Sequence, residues 1–279
     1  MRNKMAVVTG ASSGFGLVTS IELAKKGYTV IATMRNLNSS TNLLNEATSV
    51  GVRDLIHIKE LDVTVNQSIQ NLMGYIESLG CIDVLVNNAG YAGAGFVEEI
   101  PIDEFRKQFE TNVFGAINLT QAVLPIMRQQ QSGKIINVSS ISGKVGFPGL
   151  SPYVSSKYAL EGWSESLRLE MIPFGIDVVL IEPGSFQTNI WSSGKQITEK
   201  SLKRESPYYK TMQSLESHIN KEASNYGDPR DVAKLISMIC DKKSPSLRYP
   251  IGKGVKLTIL LKTILPWKIW ERLVLKQIK

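Results

Sequence analysis

Short apolar runs recur along the chain, each bounded by glycine or polar residues and each followed by a longer stretch with helical spacing. Lys4 to Val8 is the first; a brief run without polar alternation is what a strand buried on both faces of a parallel sheet requires. Leu17, Ile21, Leu23 and Ala24 then recur at the three-to-four spacing of one helix face. The same alternation predicts strands at Thr29 to Thr33, Asp54 to Lys59, Ile82 to Val86, Lys134 to Val138 and Ile176 to Ile181. Helices are predicted over a less regular stretch from Thr41 to Val50, then Gln67 to Leu79, Asp103 to Gln129, Tyr153 to about Met171, and from Pro229 onward. Strands alternating with helices specify the α/β class, a doubly wound parallel β-sheet flanked by helices.

At 279 residues and 43% hydrophobic, the chain can bury one large core and does not require a second domain. The expected division is a single α/β domain over 1–254 and a helical extension over 255–279. Within the domain, the polar stretch Trp191 to Tyr226 is long for a connection, so 185–227 reads as a lid over a ligand. In the extension, Leu257, Leu260, Leu261, Ile264 and Leu265 recur at helical spacing, and beyond Pro266 the pattern continues through Trp267, Trp270, Leu273 and Val274. Charge concentrates there: seven of the Lys/Arg residues and one acid lie between Pro250 and Lys279, a net +6 of the chain's +7. Two readings of this extension stand side by side, a helical pair that packs on the domain and walls the ligand pocket, and an in-plane peripheral membrane contact. No groove-reading motif accompanies the charge, so nucleic acid is not expected as a partner.

Cys81 and Cys240 fit neither a disulfide framework nor a metal cluster and read as small buried apolar residues. The apolar run at the N-terminus is too short for a signal peptide, and no segment has the ~18 apolar residues of a membrane span. A cytoplasmic setting is the resulting expectation. His57 and His218, the only histidines, lack partner patterns and read as structural or solvent-facing, which argues against a histidine-dependent hydrolase or a metal centre.

Polar and glycine-rich motifs follow strand after strand, and in an open parallel sheet that is the end where ligands bind. After the first strand comes Thr9-Gly10-Ala11-Ser12-Ser13-Gly14-Phe15-Gly16, a turn that lets backbone N–H groups and a helix N-terminus approach a phosphate. The second strand ends at Arg35, with no carboxylate between Glu22 and Glu46; such an arginine either accommodates the 2′-phosphate of NADP or is an exposed loop residue. Asp62, before Val63 at the end of the third strand, is either an acceptor for an adenine amino group or an N-cap. Asn87-Asn88-Ala89-Gly90 follows the fourth strand, Ser139-Ser140 the fifth and Pro183-Gly184 the sixth. Asn112, amid apolar neighbours, is either satisfied structurally or poised at the site.

Tyr153 and Lys157 stand four residues apart in a helical run, which places both heads on one face. A phenol ordinarily titrates near 10; bringing it toward 7 requires roughly 4 kcal/mol, and a neighbouring ammonium in a water-poor cleft is a suitable source. The pair can therefore act as a general acid or base.

Taken jointly, Thr9-Gly10-x-x-x-Gly14-x-Gly16, Asp62-Val63, Asn87-Asn88-Ala89-Gly90, Asn112, Ser140, Tyr153-x-x-x-Lys157 and Pro183-Gly184 with Thr188 resemble the short-chain dehydrogenase/reductase family. They span about two-thirds of the chain. The Ala-Thr before Met34-Arg35 and the extended C-terminus are similar to the hydroxysteroid and retinol dehydrogenase branch. The resemblance implies a Rossmann-type sheet and an oxidoreductase interconverting a ketone or aldehyde and an alcohol. Tyr153 would be the acid or base, Lys157 would lower its pKa and hold the nicotinamide ribose, Ser140 would hydrogen-bond the substrate oxygen, and Asn112 would position a proton-relaying water. Gly10, Ser12, Ser13, Gly14, Phe15, Gly16, Arg35, Asp62, Val63, Asn88, Ala89, Gly90, Pro183, Gly184, Phe186 and Thr188 would hold the dinucleotide, NADP(H) in preference to NAD(H). Phe15 departs from the aliphatic residue commoner there. A small apolar carbonyl or alcohol is the implied substrate, and a homodimer or homotetramer the implied assembly. A non-catalytic dinucleotide sensor on the same scaffold is the alternative; it would have no need to retain Asn112, Ser140, Tyr153 and Lys157 together.

Overall fold

The structure is a computed structural model that describes residues 4–191 and 194–276; the side chains of His218 and Asn220 lie outside what is described, and with them the reading of His218. Among the described residues nine strands form: β1 (Met5–Val8), β2 (Thr29–Met34), β3 (Ile56–Glu60), β4 (Val84–Asn87), β5 (Ala92–Ala94), β6 (Gly133–Val138), β7 (Ile176–Pro183), β8 (Lys195–Ile197) and β9 (Arg248–Ile251). Seven make one sheet in the order β3-β2-β1-β4-β6-β7-β9, parallel at every pairing. The strand order reverses between β1 and β4, and that reversal opens a crevice at the carboxyl ends of the strands.

Helices cover both faces: α1 (Gly14–Lys25), α2 (Thr41–Ser49), α3 (Asn66–Leu79), α4 (Ile102–Phe109), α5 (Gly115–Gln130), α6 (Ser151–Met171), α7 (Tyr209–Glu222), α8 (Pro229–Asp241), α9 (Val255–Ile264) and α10 (Trp267–Lys276). Because side chains alternate along a strand, β1 sends Ala6 and Val8 into one core with Leu17, Ile21 and Ile236, and Met5 and Val7 into the other with Leu72, Ile76, Leu119 and Val123. Burial on both faces is the physical reason that these strands read as unbroken apolar runs.

Three features depart from the sequence expectations. The helix expected over Asp103 to Gln129 is interrupted by a π-helical turn, Glu110–Phe114, which carries Asn112; such turns collect at functional sites. β9 was not predicted: it is four residues long, contains Pro250 and is only half-buried, and it is tolerated because it pairs with β7 alone at the sheet edge. The polar stretch from Trp191 to Tyr226 holds β8, paired with β5, and helix α7. Cys240 is buried as expected, whereas Cys81 is only partly so. Among the described residues no helix is long and apolar enough to cross a membrane.

Candidate active site

The glycine turn is built by close approach. Thr9 donates its backbone N–H to Val86 O at 3.0 Å and Ala11 to Thr33 O at 2.8 Å, tying the turn to β4 and β2. A Cβ on Gly16 would lie 2.3 Å from the Gly10 carbonyl oxygen and 2.7 Å from Asn88 Nδ2, so only glycine lets α1 start so near the sheet. Gly10 and Gly14 occupy positive φ, at 66° and 54°. Ser13, at the N-cap of α1, is extended and makes no side-chain cap, leaving first-turn N–H groups directed at the crevice. Asn88 locks the opposite wall: Nδ2 donates to Thr9 O at 2.8 Å, while the Asn88 and Ala89 N–H groups each donate to Thr9 Oγ1 at 2.9 Å.

A cleft of about 780 Å³ opens over this turn, bordered by Ser12, Ser13, Phe15, Arg35, Asp62, Val63, Ala89, Gly90 and Thr188. Gly16 does not line it; its part is structural. Arg35 is exposed at the tip of β2 and makes no ion pair among the described residues. Asp62 is not an N-cap, since α3 begins after Val65. Its Oδ1 accepts from Thr64 N–H at 2.9 Å and from Thr64 Oγ1 at 2.7 Å. Burial alone would raise its carboxyl, but those hydrogen bonds and the charge of Arg35 outweigh it and hold the group below its ordinary value. The extended cleft, the helix N-terminus and a glycine cradle that a Cβ would fill match the dimensions and charge of a dinucleotide.

A second cavity, about 530 Å³, is walled by Ser140, Leu150, Met212, Leu215, Ile219 and Val274, with Tyr226 and Trp191 also present. Between the two spaces lies a constriction of about 50 Å³ bordered by Ser140, Tyr153, Lys157, Pro183, Gly184 and Phe186. The structure thus brings Ser140, Tyr153 and Lys157 together where the polar cleft meets the more apolar cavity. Ser140 closes the tight turn after β6, its Oγ accepting Ser142 N–H at 3.1 Å. Gly184 sits in close contact: a Cβ there would stand 2.5 Å from Val255 Cγ2 and would have to displace that buried valine. Phe186 packs edge-on against Phe15, centroids 5.5 Å apart, which gives the unusual Phe15 a packing role.

Tyr153 is 4% exposed, with Trp191 edge-on at 6.0 Å. Burial pushes its phenol up to about 12, partly countered by a hydrogen bond with Ser140. This departs from the expected lowering by Lys157. The Lys157 ammonium lies 5.6 Å from the Tyr153 ring centroid and donates to Val138 O at 2.8 Å, so desolvation of the phenol dominates. Burial also pushes Lys157 down to about 8, opposed by the charge of Glu161. Asn112 lines none of these spaces. Its Oδ1 accepts Tyr91 N–H at 3.1 Å, and Nδ2 donates to Tyr91 O at 3.0 Å and to Ser156 Oγ at 3.2 Å. Of its two alternatives, the structural one is therefore what the geometry displays: it clamps the peptide after Gly90 onto α6.

Sequence reasoning missed an ionic cluster one helix turn beyond Lys157. Glu161 is buried and accepts from Arg248 Nε at 2.9 Å, with Lys144 Nζ at 3.2 Å from the same oxygen; Glu182 Oε1 lies 3.2 Å from Arg248 Nε. Burial first, and then the charge of Glu161, push the Glu182 carboxyl up to about 7. The only signal was a lone Glu inside an apolar strand, Ile181-Glu182-Pro183. Tyr91 and Trp191 were missed because neither belongs to a spaced motif.

The short chain dehydrogenase family matches residues 4–198, and the chain belongs to that family. It is 49% identical over 279 residues to the uncharacterized oxidoreductase YusZ of Bacillus subtilis, covering 100% of this chain and 99% of that one. It is 36% identical over 257 residues to 3-ketodihydrosphingosine reductase of Bacteroides thetaiotaomicron, covering 92% and 91% of the two chains. With human retinol dehydrogenase 8 it shares 32% over 270 residues, 94% and 85% of the respective chains. Among solved structures, a short-chain dehydrogenase from Streptomyces avermitilis superposes with a TM-score of 0.81 at 33% identity over 98% of each chain. A variant of actinorhodin polyketide ketoreductase with NADPH gives 0.76 at 28%, over 91% of this chain and 97% of that one. The protein is accordingly an oxidoreductase by family.

Proposed function

We propose that this protein is an NADP(H)-dependent oxidoreductase that interconverts a ketone or aldehyde and an alcohol, with Tyr153 as general acid or base. The observation that carries the proposal is the burial of Tyr153 together with Ser140 and Lys157 at the constriction between the cleft and the more apolar cavity. NADP(H), when bound, supplies or receives the hydride. The residues bordering the 780 Å³ cleft would hold it, Arg35 beside the 2′-phosphate and Thr188, with Pro183 and Gly184 of the constriction, beside the nicotinamide. The solved structure of a relative with NADPH supports a nicotinamide dinucleotide in the cleft, and the exposed Arg35 at the tip of β2 supports NADP(H) over NAD(H).

In reduction, Tyr153 gives its phenolic proton to the substrate oxygen as that oxygen gains charge, and Ser140 donates a hydrogen bond to the same atom. The phenolate is then reprotonated from water. Burial raises the phenol, so Tyr153 is protonated at neutral pH, the form a general acid requires. Lys157, held at Val138 O, keeps a positive charge beside the ring and stabilises the phenolate left behind. Asn112 acts through position, fixing the Tyr91 peptide and the face of α6 that carries Tyr153; the water-relay role stays an expectation of the family. Exposed Ile102 and Phe114 on the α4–α5 side support a homo-oligomer through that face.

NADPH oxidation against a panel of ketones, aldehydes and steroids tests the reading. Turnover of an apolar carbonyl, faster with NADPH than NADH, is expected. Dinucleotide binding without turnover of any carbonyl or alcohol would favour the sensor alternative.

A further inference from the structure

We infer that the α9–α10 pair is a docking face for anionic lipid and that the cavity beside it receives its substrate from the bilayer surface. This rests on the reading above that the cavity takes an apolar carbonyl or alcohol. Seven of the eighteen exposed large hydrophobic side chains among the described residues fall between 257 and 275, a density no other part of the chain approaches. On α9, Leu257, Leu260 and Ile264 recur at the i, i+3, i+7 positions of one face; on α10, Trp267, Ile269 and Leu273 are also exposed, Ile264 and Trp267 at 62% each. Only Val255 and Trp270 of the two helices are buried. They anchor the pair to the domain, Ile259, Leu261, Leu265 and Val274 are half-buried, and the seven exposed side chains are left uncovered.

Charge selects the occupant. The segment from Pro250 to Lys279 carries net +6, and Lys256, Lys268 and Arg272 are exposed beside the apolar stripe. Lys262 lies 4.4 Å from the Trp267 ring centroid, a cation on an aromatic face at the junction of the two helices. A two-fold contact with a second copy would set two +6 segments against each other, which long-range repulsion disfavours. An anionic bilayer instead accepts the leucines and tryptophan into its interface and the lysines among its phosphates. Position then links the face to catalysis. Val274 of α10 and Lys253 line the same cavity as Ser140, so a molecule at the lipid surface beneath α10 has a short path to the reacting groups. The substrate class this implies is a long-chain or polycyclic carbonyl or alcohol that partitions into membranes.

The test is co-sedimentation of the full chain with phosphatidylcholine vesicles lacking or containing ~30% phosphatidylglycerol. Binding to the anionic vesicles is expected, falling at least about tenfold as salt rises from about 50 to 500 mM. Leu260→Glu with Ile264→Glu, and separately Lys256→Glu with Lys268→Glu, should each abolish it. Both should leave unchanged the turnover of a water-soluble carbonyl and slow only that of a long-chain carbonyl held in vesicles. The inference is overturned if the wild type stays in the supernatant, if both variants sediment like the wild type, or if the Leu260/Ile264 change only converts a dimer to a monomer. Vesicle binding without turnover of any carbonyl would leave the docking face standing and sink the functional reading, so the two fail separately.

Discussion

Two buried titratable groups meet at Tyr153 and Lys157, and burial moves them in opposite directions: the phenol up to about 12 and the ammonium down to about 8. As pH rises, the lysine therefore loses its charge well before the tyrosine loses its proton. If the positive charge beside the ring supports proton donation, carbonyl reduction should decline above about pH 8, a limb read from kcat against pH in the NADPH direction; an optimum extending flat toward pH 10 would show that Lys157 keeps its proton or is not needed. Arg35 gives a second test at this scale. It is the exposed cation at the tip of β2, near Asp62. Arg35→Asp should shift the ratio of kcat/KM for NADPH over NADH toward NADH by at least about tenfold, the size of one lost charge-assisted contact; an unchanged ratio would remove the charge argument. Ser140, Tyr153 and Lys157 were legible in the sequence because each lies at a fixed offset within one strand end or one helix. The partners of Asn112 were not, because they belong to Tyr91 and Ser156, on segments that only the fold brings together.

At the scale of elements, the glycine turn joins β1 to α1 with no room to spare. Gly16→Ala would press a methyl group against the Gly10 carbonyl and the Asn88 amide. A Tm lower by at least about 5 °C is expected, because backbone rather than a side-chain tip must give way, together with weakened NADPH binding; a variant as stable and as tight-binding as the wild type would contradict the close approach. The central strands and their order of appearance were readable because burial on both faces leaves an unbroken apolar run. β9 was not, since Arg248-Tyr249-Pro250-Ile251 has neither that run nor a period of two, and is held as a strand by its pairing with β7. Glu161, Glu182 and Arg248 were hidden for a related reason: they come from a helix, a strand and the sheet edge, and no spacing links them. The π turn at Asn112 left no sequence mark, because its apolar neighbours continue the helical pattern through it.

For the whole molecule, the topology places a polar cleft and a more apolar cavity on either side of one constriction. A reaction that needs both a charged dinucleotide and an apolar partner can occur only where the two meet. The C-terminal extension was legible as two amphipathic helices, but not which face turns outward, and the structure leaves most of the apolar face uncovered. Exposed Ile102 and Phe114 make a separate surface on the α4–α5 side. Phe114→Asp should lower the molar mass measured by light scattering to that of the 30.9 kDa monomer if that face holds the oligomer together; a wild type already monomeric, or an unaffected assembly, would exclude it.

The most direct measurement compares Tyr153→Phe with the wild type in NADPH binding, by quenching of tryptophan fluorescence, and in single-turnover oxidation of NADPH with an apolar ketone. Removing only the hydroxyl should leave the binding constant within about twofold, the ring and its contact with Trp191 being kept, and lower the rate by about 10³, the span expected of a lost general acid. A variant that binds NADPH and still reduces the ketone at close to the wild-type rate would show that the proton comes from elsewhere.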